Sequence, residues 1–296
     1  MVENRNMATP SSELEAVQTR LRSHLHQIAR ERDIYFNAVA HRSVRQYVKE
    51  QLEQWGEVKT HEFVAEEGTT QPEGVNLILD LLGERDKPPV LIGAHYDGVP
   101  GSPGADDNAS GVAVLLELAR AIAQNPTPVP VRLIAFDLEE YGLLGSRAYA
   151  TDLRQQAEVI RFMLSLEMLG YCDPTPGSQN YPSGLKFWYP NHGDFVALVG
   201  NVFTILEMLH LSHSFRKSGV PCQWLPAGVR GKIVPATRLS DHSPFWDVGY
   251  KALMVTDTAF LRNPNYHQAS DRTETLDFDF MSRICKGLEH SIRRLT

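Results

Sequence analysis

A short apolar run that ends in an imidazole and a carboxylate constrains this chain more than any other feature. Val90, Leu91, Ile92, Gly93 and Ala94 follow Pro88 and Pro89 and give way to His95 and Asp97. An unbroken apolar run of this length reads as a strand buried on both faces, as in parallel sheets. His95 and Asp97 stand two residues apart, so an extended chain points both side chains the same way. A Gly- and Pro-rich loop then brings Asp106, Asp107 and Asn108, with Ser110 as candidate cap for an apolar helix over 112–123.

The same pattern, apolar residues first and acids at the exit, recurs in VRLIAFDLEE and again in VIRFMLSLEMLG. From residue 90 onward such runs alternate with helical periodicity, which predicts one α/β domain on a mainly parallel sheet. Upstream, the spacing predicts helices over 12–30 and 43–55 and strands over 58–64 and 75–82, the last pairing with the Val90 run across 83–89. Downstream it predicts a helix over 195–210, loop over 215–245, a strand over 251–256 and a closing helix over 279–293. Residues 1–10 read as a disordered tail, and 11–296 as the single domain.

The net charge of −7 argues against nucleic acid or an anionic membrane as partner. No run reaches the roughly 18–20 apolar residues of a membrane span, and the N-terminus lacks a signal-peptide core. Cys172, Cys222 and Cys285 are widely spaced, form no CxxC pair and read as free thiols, so a cytoplasmic location is expected.

The strand exits carry the chemistry: His95, Asp97 and Asp107 at the first, Glu139 and Glu140 at the second, Glu167 at the third. His267 follows in the loop after the 251–256 strand. Each has an ordinary reading taken singly: a turn residue, a solvated pair of acids, a structural ion pair, a loop histidine. Glu167 resists it most, because a carboxylate inside LSLEMLG carries a desolvation cost unless paired or metal-bound. Imidazoles with carboxylates suit a borderline divalent ion such as zinc, and open α/β sheets place their sites at the carboxyl ends of strands.

GAHYDGVPGSPGADDNASG, FDLEEYGLLGSRAY, LEMLG and NYHQASDRTETLD, in that order, resemble the zinc aminopeptidases of family M28 over roughly Asn76 to the C-terminus. The resemblance implies a three-layer α/β sandwich, helices flanking a mixed, mainly parallel sheet, and two zinc ions per chain. It implies Asp107 as the ligand shared by both, His95 and Glu167 completing one site, and Glu140 and His267 the other. Asp97 is then expected behind His95, accepting its free ring N–H, and Glu139 as the general base acting on a metal-bridged water. The substrate implied is a peptide with a free N-terminus. Glu167 departs from the Asp more usual there, and its extra methylene is expected to shift that metal or change its denticity.

Asp241, in RLSDHSPFW, and Tyr266 are expected to line the site, His242 less so, while Trp224 and Tyr181 sit in loops that could shape a substrate pocket. The rival with the same fold is a single-zinc glutaminyl cyclase; Tyr266, where cyclases commonly have Trp, and the compact EEYGLLGSRAY favour the peptidase. An inactive metal-binding domain is the rival of another class, and the presence of all six ligand and base residues argues against it. There is no HExxH, GxSxG or phosphate-cradling loop.

Overall fold

The computed structural model describes residues 10–64 and 73–295. The tail expected over 1–10 lies outside the described residues but for Pro10, where the first helix begins. Eight strands form one sheet: β1 (Val58–Val64), β2 (Glu73–Leu81), β3 (Val90–His95), β4 (Val131–Phe136), β5 (Phe162–Glu167), β6 (Val196–Gly200), β7 (Cys222–Pro226) and β8 (Ala252–Thr256). Their order is β1-β2-β4-β3-β5-β8-β6-β7. The central β4, β3, β5 and β8 run parallel, whereas β2 lies antiparallel to β4 and β6 antiparallel to β8. The sheet is therefore mixed and mainly parallel.

The helices are α1 (Pro10–Ile28), α2 (Ala38–Glu53), α3 (Gly111–Gln124), α4 (Leu144–Gln155), α5 (Ile205–Lys217), α6 (His242–Asp247) and α7 (Phe278–Ile292). The central strands explain their own apolar runs. Val90, Ile92 and Ala94 of β3 pack into the core shared with α1, α2, α3, α5 and α7, while Leu91 faces the smaller core under α4 and α6. β5 divides likewise, with Phe162, Leu164 and Leu166 on one face and Met163 on the other. Alternation is invisible in such strands because both faces are covered. On α1, Val17, Leu21, Leu25 and Ile28 are all fully buried, each worth about 1.5–3 kcal/mol.

Four local expectations fail. β2 does not pair with β3: β4 lies between them, and Val131 pairs with Leu81 on one side and Val90 on the other. The 82–89 connection is instead tied to the start of β4 through Glu84 and Arg85 N–H donors on Thr127 and Pro128 carbonyls. The 195–210 segment is not one helix. Its apolar start is the buried strand β6, and the helix begins only at Ile205, because a short apolar run carries no period to separate the two. The 215–245 segment is not all loop, since it contributes β7, which pairs parallel with β6. Ser110 caps nothing. Its hydroxyl donates to Asp106 O and accepts from Leu169 N–H, while Asn108 Oδ1 takes the Gly111 N–H at the start of α3.

Candidate metal centre

The carboxyl ends of β3, β4 and β5 open side by side, and their exit residues meet. His95 closes β3. Asp107 stands in the irregular turn Ala105–Ser110 before α3, in a non-helical conformation that turns its side chain back toward the strand ends. Glu139 and Glu140 follow β4, Glu167 ends β5, and His267 reaches in from the loop after β8, in a left-handed conformation (φ 57°).

Asp107 is the hinge of the cluster. Its Oδ1 lies 3.4 Å from His95 Nε2 and its Oδ2 3.1 Å from His267 Nε2. Glu167 Oε1 stands 3.6 Å from the same nitrogen of His95, and Glu140 Oε2 stands 3.4 Å from that of His267. Two ligands held tetrahedrally at ~2.0–2.2 Å from one zinc stand roughly 3.3–3.6 Å apart; three of these separations fall in that range, and the Asp107–His267 distance of 3.1 Å is slightly shorter. Both ring nitrogens of His95, His267 Nε2 and Glu140 Oε1 are buried with no hydrogen-bond partner. Buried polar atoms are rarely left this way, and here they converge. The donors fit a divalent cation, zinc included.

The electrostatics agree. Burial works against a charged imidazole at His95, yet Glu139 and Glu167 outweigh it and hold its pKa well above the usual value. His267 is likewise opposed by burial but driven up to about 10 by its contacts with Asp107 and Glu140. Burial and the charge of Asp107 push the Glu140 carboxyl up to about 7. Burial would raise Asp107 too, but its contacts with His267 and His95 hold it below the ordinary carboxylate range. Such a field attracts cations of any kind, protons among them.

Glu139 Oε2 comes within 4.0 Å of His95 Nε2, and burial pushes its carboxyl well above the usual range. Asp97 stands 3.3 Å behind His95 Nδ1. It also accepts the N–H of both Glu139 and Glu140, at 3.2 and 3.1 Å, so one buried carboxylate sets the imidazole and the β4 exit together. Tyr266 stacks on His267 with ring centroids 3.8 Å apart. Asp241 is fully buried with both oxygens unpartnered, and burial pushes it up to about 7. His242 faces away: its Nε2 meets Thr237 O at 2.9 Å, its ring abuts Trp246, and burial drives its pKa down to about 3.

Two supports carried no sequence signal of their own. Asp271 accepts the N–H of Asp106 and of Asp107, fixing the turn from the His267 loop. Ser240, paired with Ser165, donates to Glu167 Oε2 at 2.8 Å and leaves Oε1 toward His95. A serine or aspartate in a loop is ordinary, and only the fold reveals what it touches.

An apolar cavity of about 110 Å³ adjoins the cluster, sharing Glu167 and Tyr266 with it. Phe195, Leu198, Trp224 and Met254 line its interior, and Tyr181 and Tyr189 stand at its side, their rings stacked 5.8 Å apart.

The molecule is thus an α/β sandwich on a mixed sheet, with imidazoles and carboxylates suited to divalent cations gathered at its parallel strand ends. Residues 76–197 match peptidase family M28. The uncharacterised protein YfbL of Escherichia coli is 37% identical over 230 residues, covering 72% of this chain and 68% of that one. The chain belongs to peptidase family M28. The aminopeptidase LapA of Legionella pneumophila superposes with a TM-score of 0.69 at 19% identity, over 99% of this chain and 76% of that one. A glutaminyl cyclase of Bacteroides thetaiotaomicron superposes at 0.68 with 16% identity, over 96% of this chain and 98% of that one. These two likenesses are of fold. The chain spans about half (53%) of leucine aminopeptidase 1 from Ajellomyces capsulatus, to which it is 28% identical.

Proposed function

We propose that this protein is an aminopeptidase that releases the first residue of peptides with a free N-terminus, using two zinc ions held by His95, Asp107, Glu140, Glu167 and His267. The observation that carries the reading is the division of Asp107 between two imidazoles, each with its own glutamate. A single-zinc cyclase would need only one such set. Bound zinc supplies Lewis acidity, polarising a carbonyl oxygen and acidifying a water in the cluster.

The chain's own residues do the rest. Glu139, adjacent to His95 and made proton-avid by burial, accepts the proton of the attacking water and returns it to the leaving amine. Asp97 keeps it there by holding its amide and that of Glu140. The apolar cavity beside Glu167 receives the side chain of the residue to be released, which favours apolar N-termini.

The test pairs leucine p-nitroanilide with its N-acetyl derivative and with a glutamine amide. The reading expects zinc-dependent cleavage of the first alone. Cyclisation of the glutamine amide without cleavage would give the site to the cyclase chemistry instead.

A further inference from the structure

The match to the peptidase family begins at residue 76, yet the segment that follows α1, far upstream, grips both metal-bearing loops. Arg32 is fully buried. Its Nε donates to Tyr96 O at 2.8 Å, Nη1 to Pro103 O at 2.7 Å, and Nη2 to Gly104 O at 3.0 Å and Asp107 O at 3.1 Å. One guanidinium thus spans the loop from the residue after His95 to Asp107 itself. The loop presses on it: Gly104 has φ 56°, and a Cβ there would lie 2.2 Å from Asp107 O and 2.9 Å from Arg32 Nη1. The next residue, Asp33, is equally buried and accepts from the Tyr141 hydroxyl at 2.6 Å, one position beyond Glu140. Its other oxygen takes the N–H of Tyr35 and Phe36, which fixes the segment's own turn.

We infer that Arg32 and Asp33 are positioning residues for the metal centre: Arg32 fixes the Asp107 loop, Asp33 fixes the Glu139–Glu140 turn through Tyr141, and together they hold the two halves of the ligand set in register. The guanidinium suits the task because its planar fork reaches several carbonyls at once, and because its charge sits among acids. Burial lowers the pKa of Arg32, and the field of Asp107, Asp97, Asp271 and Glu140 offsets that only in part. A lysine would supply the charge without the fork.

The inference rests on the metal-centre reading, and one titration separates the two. Zinc dissociation constants, measured on full-length apo protein by competition with a chromogenic chelator, are set beside apo melting temperatures for wild type, Arg32→Met, Arg32→Lys and Tyr141→Phe. Outer supports of metal ligands are worth ~10–100-fold in affinity. Both Arg32 variants are expected to bind zinc at least about tenfold more weakly, and Tyr141→Phe more weakly by a smaller factor that clearly exceeds twofold, at any apo melting temperature. Tyr141→Phe removes one hydroxyl from a part-exposed ring and decides the matter if the Arg32 variants fail to fold. Variants that melt earlier but bind zinc within twofold of wild type would reduce these residues to general stability and overturn the inference. Wild-type protein that binds no zinc would overturn the metal reading itself.

Discussion

The two halves of the site are built by different means. At the exits of β3, β4 and β5, His95 and Glu167 close their strands and Glu139 and Glu140 follow three and four residues after theirs, and buried carboxylates lock the backbone: Asp97 on Glu139 and Glu140, Asp271 on Asp106 and Asp107. The cavity beside them is assembled from β6, β7, β8 and the loop that carries Tyr181 and Tyr189. Nearby in that loop Phe187 and Trp188 are both 81% exposed. On the proposed reading the metal ligands are held by strand exits and main-chain hydrogen bonds, and the pocket by side chains of three further strands and of loops. The first should tolerate almost no change, and the second should trade one substrate for another.

The largest effect is expected at Asp107. Asp107→Asn removes the carboxylate that faces both imidazoles, and metal content by elemental analysis and activity should fall together toward background. Retention of full metal content would break the contrast at its strongest point. Glu139→Gln should lower kcat by ~10²–10⁴-fold, the usual contribution of a general base, while metal content is unchanged. That combination separates the base from the ligands.

Acidity offers a third test. His267, driven up to about 10, holds a proton at pH 8, as does Glu140 below about 7. Zinc must displace those protons, so its affinity should weaken as pH falls, about tenfold per unit from 9 to 7 and more steeply below 7. Calorimetry in buffers of different ionisation enthalpy reads the protons released, and a flat profile would contradict the assignment. The smallest effect is expected in the pocket. Trp224→Ala should raise KM for leucine and phenylalanine substrates by about tenfold, within the 1–3 kcal/mol of a hydrophobic pocket. Its kcat and metal content should stay near wild type, and a fall in kcat alone would blur the division.

How legible each half was follows from the same contrast. His95 and Asp97 announce a site because their spacing puts both at one strand exit, and Glu167 because an apolar run surrounds it. The central parallel strands were readable from their unbroken apolar runs. Order in the sheet was not, because β4 enters between β2 and β3 from forty residues further along the chain. β6 read as helix because five buried residues show neither period. Arg32, Asp271 and Ser240 act through contacts with main chain or with one carboxylate oxygen, and no local pattern marks such contacts. The match of ligand types with strand ends survives all these errors, since it depends on where strands stop and not on their order.

The central claim is tested most directly by anomalous diffraction at the zinc edge from crystals of full-length protein grown with zinc. The account predicts two peaks, one among His95, Asp107 and Glu167 and the other among Asp107, Glu140 and His267. Ordered zinc elsewhere, with no peak beside Asp107, would contradict it.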